Sequence, residues 1–199
     1  MMNVIGKRRR QLLAVSGDQK RPPPEVRGRV DGRLKELLGV SIRRPRCEDN
    51  WRFAAGKKPF ETTKLGYGTQ VLWPDHCVQG TEDAALRKDL VLPKAQLIIR
   101  KGYHQSTDSY SAFMEADGKT STGLAAYLKA HGVDTVYVCG LATDFCVSWT
   151  ALDARKAGFK AYVIEDASRG IDLNGSLAAA WDKMTKAGVK RIQSSDIVA

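Results

Sequence analysis

The chain is short of the features that secreted and membrane proteins depend on. No apolar run approaches bilayer-spanning length, no secretory leader stands before the first basic cluster, and the four cysteines (Cys47, Cys77, Cys139, Cys146) contain no C-x-x-C pair. These absences argue against a transmembrane span and against a disulfide framework. They predict reduced thiols and a cytoplasmic protein. Histidine is scarce as well, with only His76, His104 and His131 in 199 residues.

Positive charge is plentiful, and its distribution matters more than its sum. The net charge is +10, but residues 1–56 hold 14 Lys+Arg against 6 Asp+Glu while residues 57–199 hold 18 against 16. Eleven of the 14 early basic residues are Arg, and the stretch also carries Arg8-Arg9-Arg10, Pro22-Pro23-Pro24 and Arg43-Arg44-Pro45-Arg46. Only residues 33–40 have a helical apolar spacing, too short to stand alone. Such a segment is expected to be disordered or loosely attached, with a basic arm for RNA or a membrane surface as the functional alternative. A nucleic-acid partner is not expected for the remainder, which is nearly neutral.

From residue 57 the texture changes to that of a folded domain. Residues 57–79 are polar and rich in Gly and aromatics, and read as a long loop; residues 81–90 read as a short helix capped by Thr81. Strands are predicted over 96–100, 134–140, 161–165 and 189–193, with helices over 122–130, 146–157 and 176–187. Each helix stops at a glycine (Gly132, Gly158, Gly188) suited to the left-handed position after a C-terminus. Alternating strands and helices with such short joints predict an α/β fold with parallel strands and right-handed crossovers. Chemistry in such a sheet belongs at the carboxyl ends of the strands.

Residues 136–149 (VYVCGLATDFCVSW) mark one such end. A buried strand hands over through a tight turn to a helix that Cys146 opens. Unpaired N–H groups and the positive end of the helix dipole favour a thiolate there and can bind an oxyanion beside it. A small buried structural cysteine is the plainer alternative. Lys101 closes the strand over 96–100 and is predicted at the same edge, where an ammonium favours the thiolate; a surface lysine that merely closes a strand is the plainer alternative. In Trp73-Pro74-Asp75-His76-Cys77, His76 could ligate a metal or be an ordinary loop histidine.

Taken together, WPDHCVQGT, RKGYHQSTDSYSAF and GLATDFCVSWTALDA resemble the nicotinamidase/pyrazinamidase branch of the isochorismatase-like cysteine hydrolases over residues 57–199. The resemblance implies a three-layer α/β/α, Rossmann-like fold with a mainly parallel sheet. It implies hydrolysis of nicotinamide, and of pyrazinamide as a possible second small-molecule substrate, in NAD salvage. By the same resemblance Cys146 is the nucleophile and Lys101 the catalytic lysine. The peptide bond Leu141-Ala142 is cis, and the N–H of Ala142 with that of Cys146 forms the oxyanion hole. Trp73, Tyr110 and Leu141 line the ring pocket, and His76 binds a divalent zinc, iron or manganese ion.

The resemblance stops short of the N-terminal third. The family's Asp-Val-Gln-Asn-Asp-Phe-like motif, whose first Asp is the base, and its Gln-Asp-Trp-His-Pro-like metal loop do not occur here. Asp18, Asp49 or a group from another subunit are the candidates left for a base, and amidase activity is expected to be very low. A frame shift in the coding DNA that ends near Gly56-Lys57 would produce this break; translating the neighbouring frames tests it. A metal-free sister hydrolase and a non-catalytic binding protein are the alternatives, and the oligomeric state is left open.

Overall fold

The computed structural model describes residues 2–6, 12–16, 58–74, 85–86, 95–102, 104 and 107–197, with the backbone alone for the first two stretches. Its strands are β1 (Met2–Gly6), β2 (Leu12–Ser16), β3 (Thr62–Leu65), β4 (Gly68–Val71), β5 (Ala95–Arg100), β6 (Thr135–Leu141), β7 (Lys160–Arg169) and β8 (Lys190–Ile192). The α-helices are α1 (Leu124–Ala130), α2 (Ser148–Lys156) and α3 (Ser176–Lys186). Among the described residues no helix is long and apolar enough to cross a membrane.

The main sheet has the order β5-β2-β1-β6-β7-β8. Strands β6, β7 and β8 run parallel, β2 and β5 run parallel, and β1 is antiparallel to both β2 and β6. The two reversals cancel. Strands β5 and β6 therefore point the same way, and the residues after them, Lys101 and Ala142, emerge at one edge of the sheet.

Strands β6 and β7 are near-continuous runs of β-formers because they are buried on both faces. Val136, Val138 and Val163 are fully buried and pack with Leu124, Leu128, Ala151, Ala154 and Met184 from the three helices, and with Phe113 and Phe159. Helix α2 ends as its glycine predicts. Gly158 has φ 93°, its N–H donates to Arg155 O at 3.0 Å, and the Phe159 N–H donates to Ala154 O at 2.9 Å. The same pair of bonds closes α1 at Gly132 and α3 at Gly188.

Several expectations are corrected. The stretch read as one long loop holds a hairpin, β3 paired antiparallel with β4 and joined by Gly66-Tyr67. Alternating β-formers around a glycine pair are the signal for it, and Phe60 and Leu72 extend the pairing with an N–H to O bond of 2.6 Å. Strand β7 continues past residue 165 to Arg169, because a register shift lets Gly140 and Leu141 pair with Ser168 and Arg169. Helix α1 starts two residues late, at Leu124, whose N–H is accepted by the Thr122 hydroxyl at 3.2 Å. Within residues 1–56, β1 and β2 join the sheet; the rest of that segment, including Asp18 and Asp49, lies outside the described residues, as does the helix expected over 81–90 apart from Ala85 and Leu86.

Candidate active site

Strand β6 delivers its chain to the edge through Leu141, which is exposed, and a cis peptide bond to Ala142, which is buried. The following turn is wider than the sequence suggested. Cys146 does not open the α-helix: it is the fourth residue of a π turn, Thr143–Val147, and α2 begins at Ser148. The reason is local hydrogen bonding, since the Ala142 carbonyl accepts the N–H of both Phe145 (3.1 Å) and Val147 (3.0 Å), which winds the first turn by five residues.

Asp144 locks that turn to the chain after β7. Its carboxylate accepts the N–H of Ile171 (3.0 Å) and Asp172 (2.8 Å) and the Ser176 hydroxyl (2.5 Å). Burial by itself pushes this carboxyl up, but the bonds from Ser176, Ile171 and Asp172 outweigh it and hold the group below its ordinary range.

Lys101 follows β5 and is almost fully buried, at 1% exposure. A buried ammonium must find acceptors. Its Nζ donates to the Ser109 carbonyl at 2.8 Å and lies 3.6 Å from Cys146 Sγ. Cys146 as a residue is half-buried, whereas its lysine partner is enclosed.

Aromatic rings gather around Phe145, the neighbour of Cys146 in sequence. Trp73 stands edge-on to Phe145, the residue before Cys146, with centroids 4.8 Å apart, and Tyr110 lies between Phe145 (6.1 Å) and Trp149 (5.5 Å). The Trp73 indole donates to the Tyr110 hydroxyl at 2.7 Å. Gln70 Nε2 donates to the same hydroxyl at 2.6 Å and to Asp108 Oδ2 at 2.5 Å. Burial first, and then the charge of Asp108, pushes the Tyr110 hydroxyl far above its ordinary range, so it stays a phenol. Sequence reasoning missed Gln70, Asp108, Phe145 and Trp149. Phe145 could have been found as the neighbour of the nucleophile, whereas Gln70 sits in a strand whose burial does not alternate and gave no such signal.

His76 lies outside the described residues. Among the described residues no group of three or more His, Cys, Asp or Glu could hold a metal ion. They supply no ligand set for the expected divalent ion. His104 is exposed, and His131 stacks on Tyr127 at 4.1 Å.

This geometry can be set beside known proteins. An isochorismatase domain model matches residues 49–196, about three quarters of the chain. The chain belongs to the isochorismatase family. A nicotinamidase of Acinetobacter baylyi is 65% identical over 143 residues, covering 72% of this chain and 67% of the relative. A solved nicotinamidase/pyrazinamidase of Acinetobacter baumannii superposes with a TM-score of 0.73 at 63% identity, covering 76% of this chain and 74% of the other. A pyrazinamidase of Pyrococcus horikoshii in complex with zinc gives a TM-score of 0.51 at 39% identity, covering 61% and 63%. This member of the family thus spans roughly two thirds to three quarters of the relatives it matches.

Proposed function

We propose that the chain is a nicotinamidase-type amide hydrolase that converts nicotinamide and water to nicotinate and ammonia in cytoplasmic NAD salvage, with pyrazinamide as a second substrate. The observation that carries this reading is the contact of Lys101 Nζ with Cys146 Sγ at 3.6 Å beside the Trp73, Tyr110 and Phe145 rings. The names of the relatives support the substrate, and the zinc complex of one of them supports a divalent metal in the family.

The chemistry is acyl transfer. Lys101, held by the Ser109 carbonyl, keeps an ammonium against the sulfur and favours the thiolate. The thiolate attacks the carboxamide carbon, and backbone N–H groups of the Ala142 to Cys146 turn hold the oxyanion. The C–N bond breaks, the nitrogen takes a proton and leaves as ammonia, and water then cleaves the thioester to give nicotinate and the free thiol. Trp73 and Tyr110 orient the flat ring, and Leu141 borders it at the open side. His76 is the residue we assign to a divalent ion.

The reacting side chains belong to residues 57–199, while 1–56 supply β1 and β2 to the same sheet and none of the family's acidic motifs. Turnover is therefore several orders of magnitude below that of an enzyme with its base in place. Ammonia release from nicotinamide by the full chain, with Cys146→Ala as control, tests both statements. Slow release that the control abolishes supports them. Ordinary enzymatic turnover would refute the impairment, and release that survives Cys146→Ala would refute the mechanism.

A further inference from the structure

The Trp73 and Tyr110 rings have an organiser, the buried pair Gln70 and Asp108. Asp108 is 3% exposed and Gln70 is 2% exposed, so both polar side chains must satisfy themselves inside the protein. Three acceptors surround Gln70 Nε2: Asp108 Oδ2 at 2.5 Å, Tyr110 Oη at 2.6 Å and the Val71 carbonyl at 2.9 Å. On the other side of the amide, Gln70 Oε1 accepts from the Tyr67 hydroxyl at 3.4 Å, and that hydroxyl accepts the Asp108 N–H at 3.1 Å.

The direction of this chain of bonds is dictated by one group. An ionised carboxylate only accepts, whereas a Gln amide can present either end. Facing Asp108, Gln70 has to turn its NH2 inward. The Tyr110 oxygen then receives one N–H from Gln70 and one from the Trp73 indole while its own O–H donates to Asp108, which fixes the two rings relative to each other. Asp108 Oδ1 meanwhile accepts the Ser109 N–H at 2.9 Å, and the Ser109 carbonyl holds Lys101. Two consecutive residues therefore tie the ring wall and the lysine to one short segment.

We propose that Asp108 is a positioning residue for substrate binding, whose buried carboxylate orients the Gln70 amide and, together with it, the Tyr110 and Trp73 rings. The consequence for nicotinamide rests on the hydrolase reading above; the orientation of the rings does not. A residue in this role should govern how well the flat ring is held, and should leave attack by a reagent needing no ring pocket nearly untouched.

The test is an exchange of partners in the full chain. Gln70→Glu sets a second carboxylate against Asp108 and should weaken nicotinamide binding, read by tryptophan fluorescence, at least about tenfold. Adding Asp108→Asn restores an amide facing a carboxylate, in reverse order, and should recover binding to within about fivefold of the wild type. The Trp73 indole N–H resonance, assigned with Trp73→Phe, should move in Gln70→Glu and return in the double variant, while alkylation of Cys146 by iodoacetamide changes less than about threefold. A double variant as weak as Gln70→Glu alone, or an indole resonance indifferent to Asp108→Asn, overturns the proposal. If the wild type does not bind nicotinamide, the hydrolase reading fails, and the indole resonance alone decides the role of Asp108.

Discussion

The two sides of the site are built by different physics. The Cys146 side is a strand, a five-residue turn and a helix, and its geometry comes from backbone ladders and from the capped ends of regular elements. On the Lys101 and Tyr110 side, from residue 101 to residue 122, the described residues form no helix and only an isolated bridge between Met114 and Ser121. It is nonetheless buried, with Lys101, Asp108, Ser109, Ser111 and Glu115 all under 4% exposure. Side-chain hydrogen bonds hold it. Rigidity at a site can thus be supplied by secondary structure on one flank and by buried polar groups on the other.

The sharpest way to separate the flanks is to remove the sulfur. Cys146→Ala deletes the nucleophile and leaves its turn nearly intact, so nicotinamide-dependent ammonia release should fall to background, at least about 100-fold. Thermal stability should move little. A control that kept a substantial rate would detach the chemistry from the Cys146 flank altogether.

Asp144→Ala strikes the same flank through its fold. Three donors on the partly exposed chain after β7, from Ile171, Asp172 and Ser176, lose the buried carboxylate that accepts them, which should cost about 1 kcal/mol in chemical denaturation. The carboxyl titrates below its ordinary value of 3.8, so its contribution is present above that pH and is lost as pH falls through the lower folded value. The gap between variant and wild type should therefore narrow in acid. An equal gap at every pH would mean that packing, and not the charge, carries the effect.

Legibility from sequence follows the same division. Alternating strands and helices, ended by Gly132, Gly158 and Gly188, identified the α/β class and put the ends of β5 and β6 at one edge. Cys146 was read as opening a helix because residues 146–157 have helix-forming chemistry; nothing in their side chains announces that the Ala142 carbonyl accepts from Val147 and widens the turn. The other flank was harder still. Gln70 and Asp108 are 38 positions apart and meet only because the β3–β4 hairpin brings one onto the other, and no local periodicity carries that information.

Lys101→Met tests the irregular flank at the sulfur. The thioether fills most of the buried volume but removes the ammonium 3.6 Å from Cys146. At fixed neutral pH the alkylation of Cys146 by iodoacetamide should slow about tenfold, the effect of losing one nearby cation. An unchanged rate would show that the turn alone activates the sulfur, and the comparison between flanks would tilt wholly to the Cys146 side.

The effect most specific to the polar flank is expected at Glu115. Its carboxyl is buried, and burial pushes it above the ordinary value of 4.5 against the opposing pull of Ser109, His104, Lys101 and the Gly102 backbone. The Ser109 hydroxyl lies within reach, yet neither Ser109 Oγ nor Glu115 Oε2 closes a hydrogen bond. A group whose folded pKa is raised binds its proton more tightly in the native state, so stability falls as pH rises from about 4.5 to the raised value and the ionised form carries the cost above it. Glu115→Gln removes that cost and gives the Ser109 oxygen a donor. The variant should match the wild type in acid and exceed it by about 1 kcal/mol at neutral pH in denaturant titrations. A variant less stable than the wild type at neutral pH would mean that the attraction between Glu115 and Lys101 outweighs burial, and that the irregular flank is held by its charges more than by its neutral hydrogen bonds.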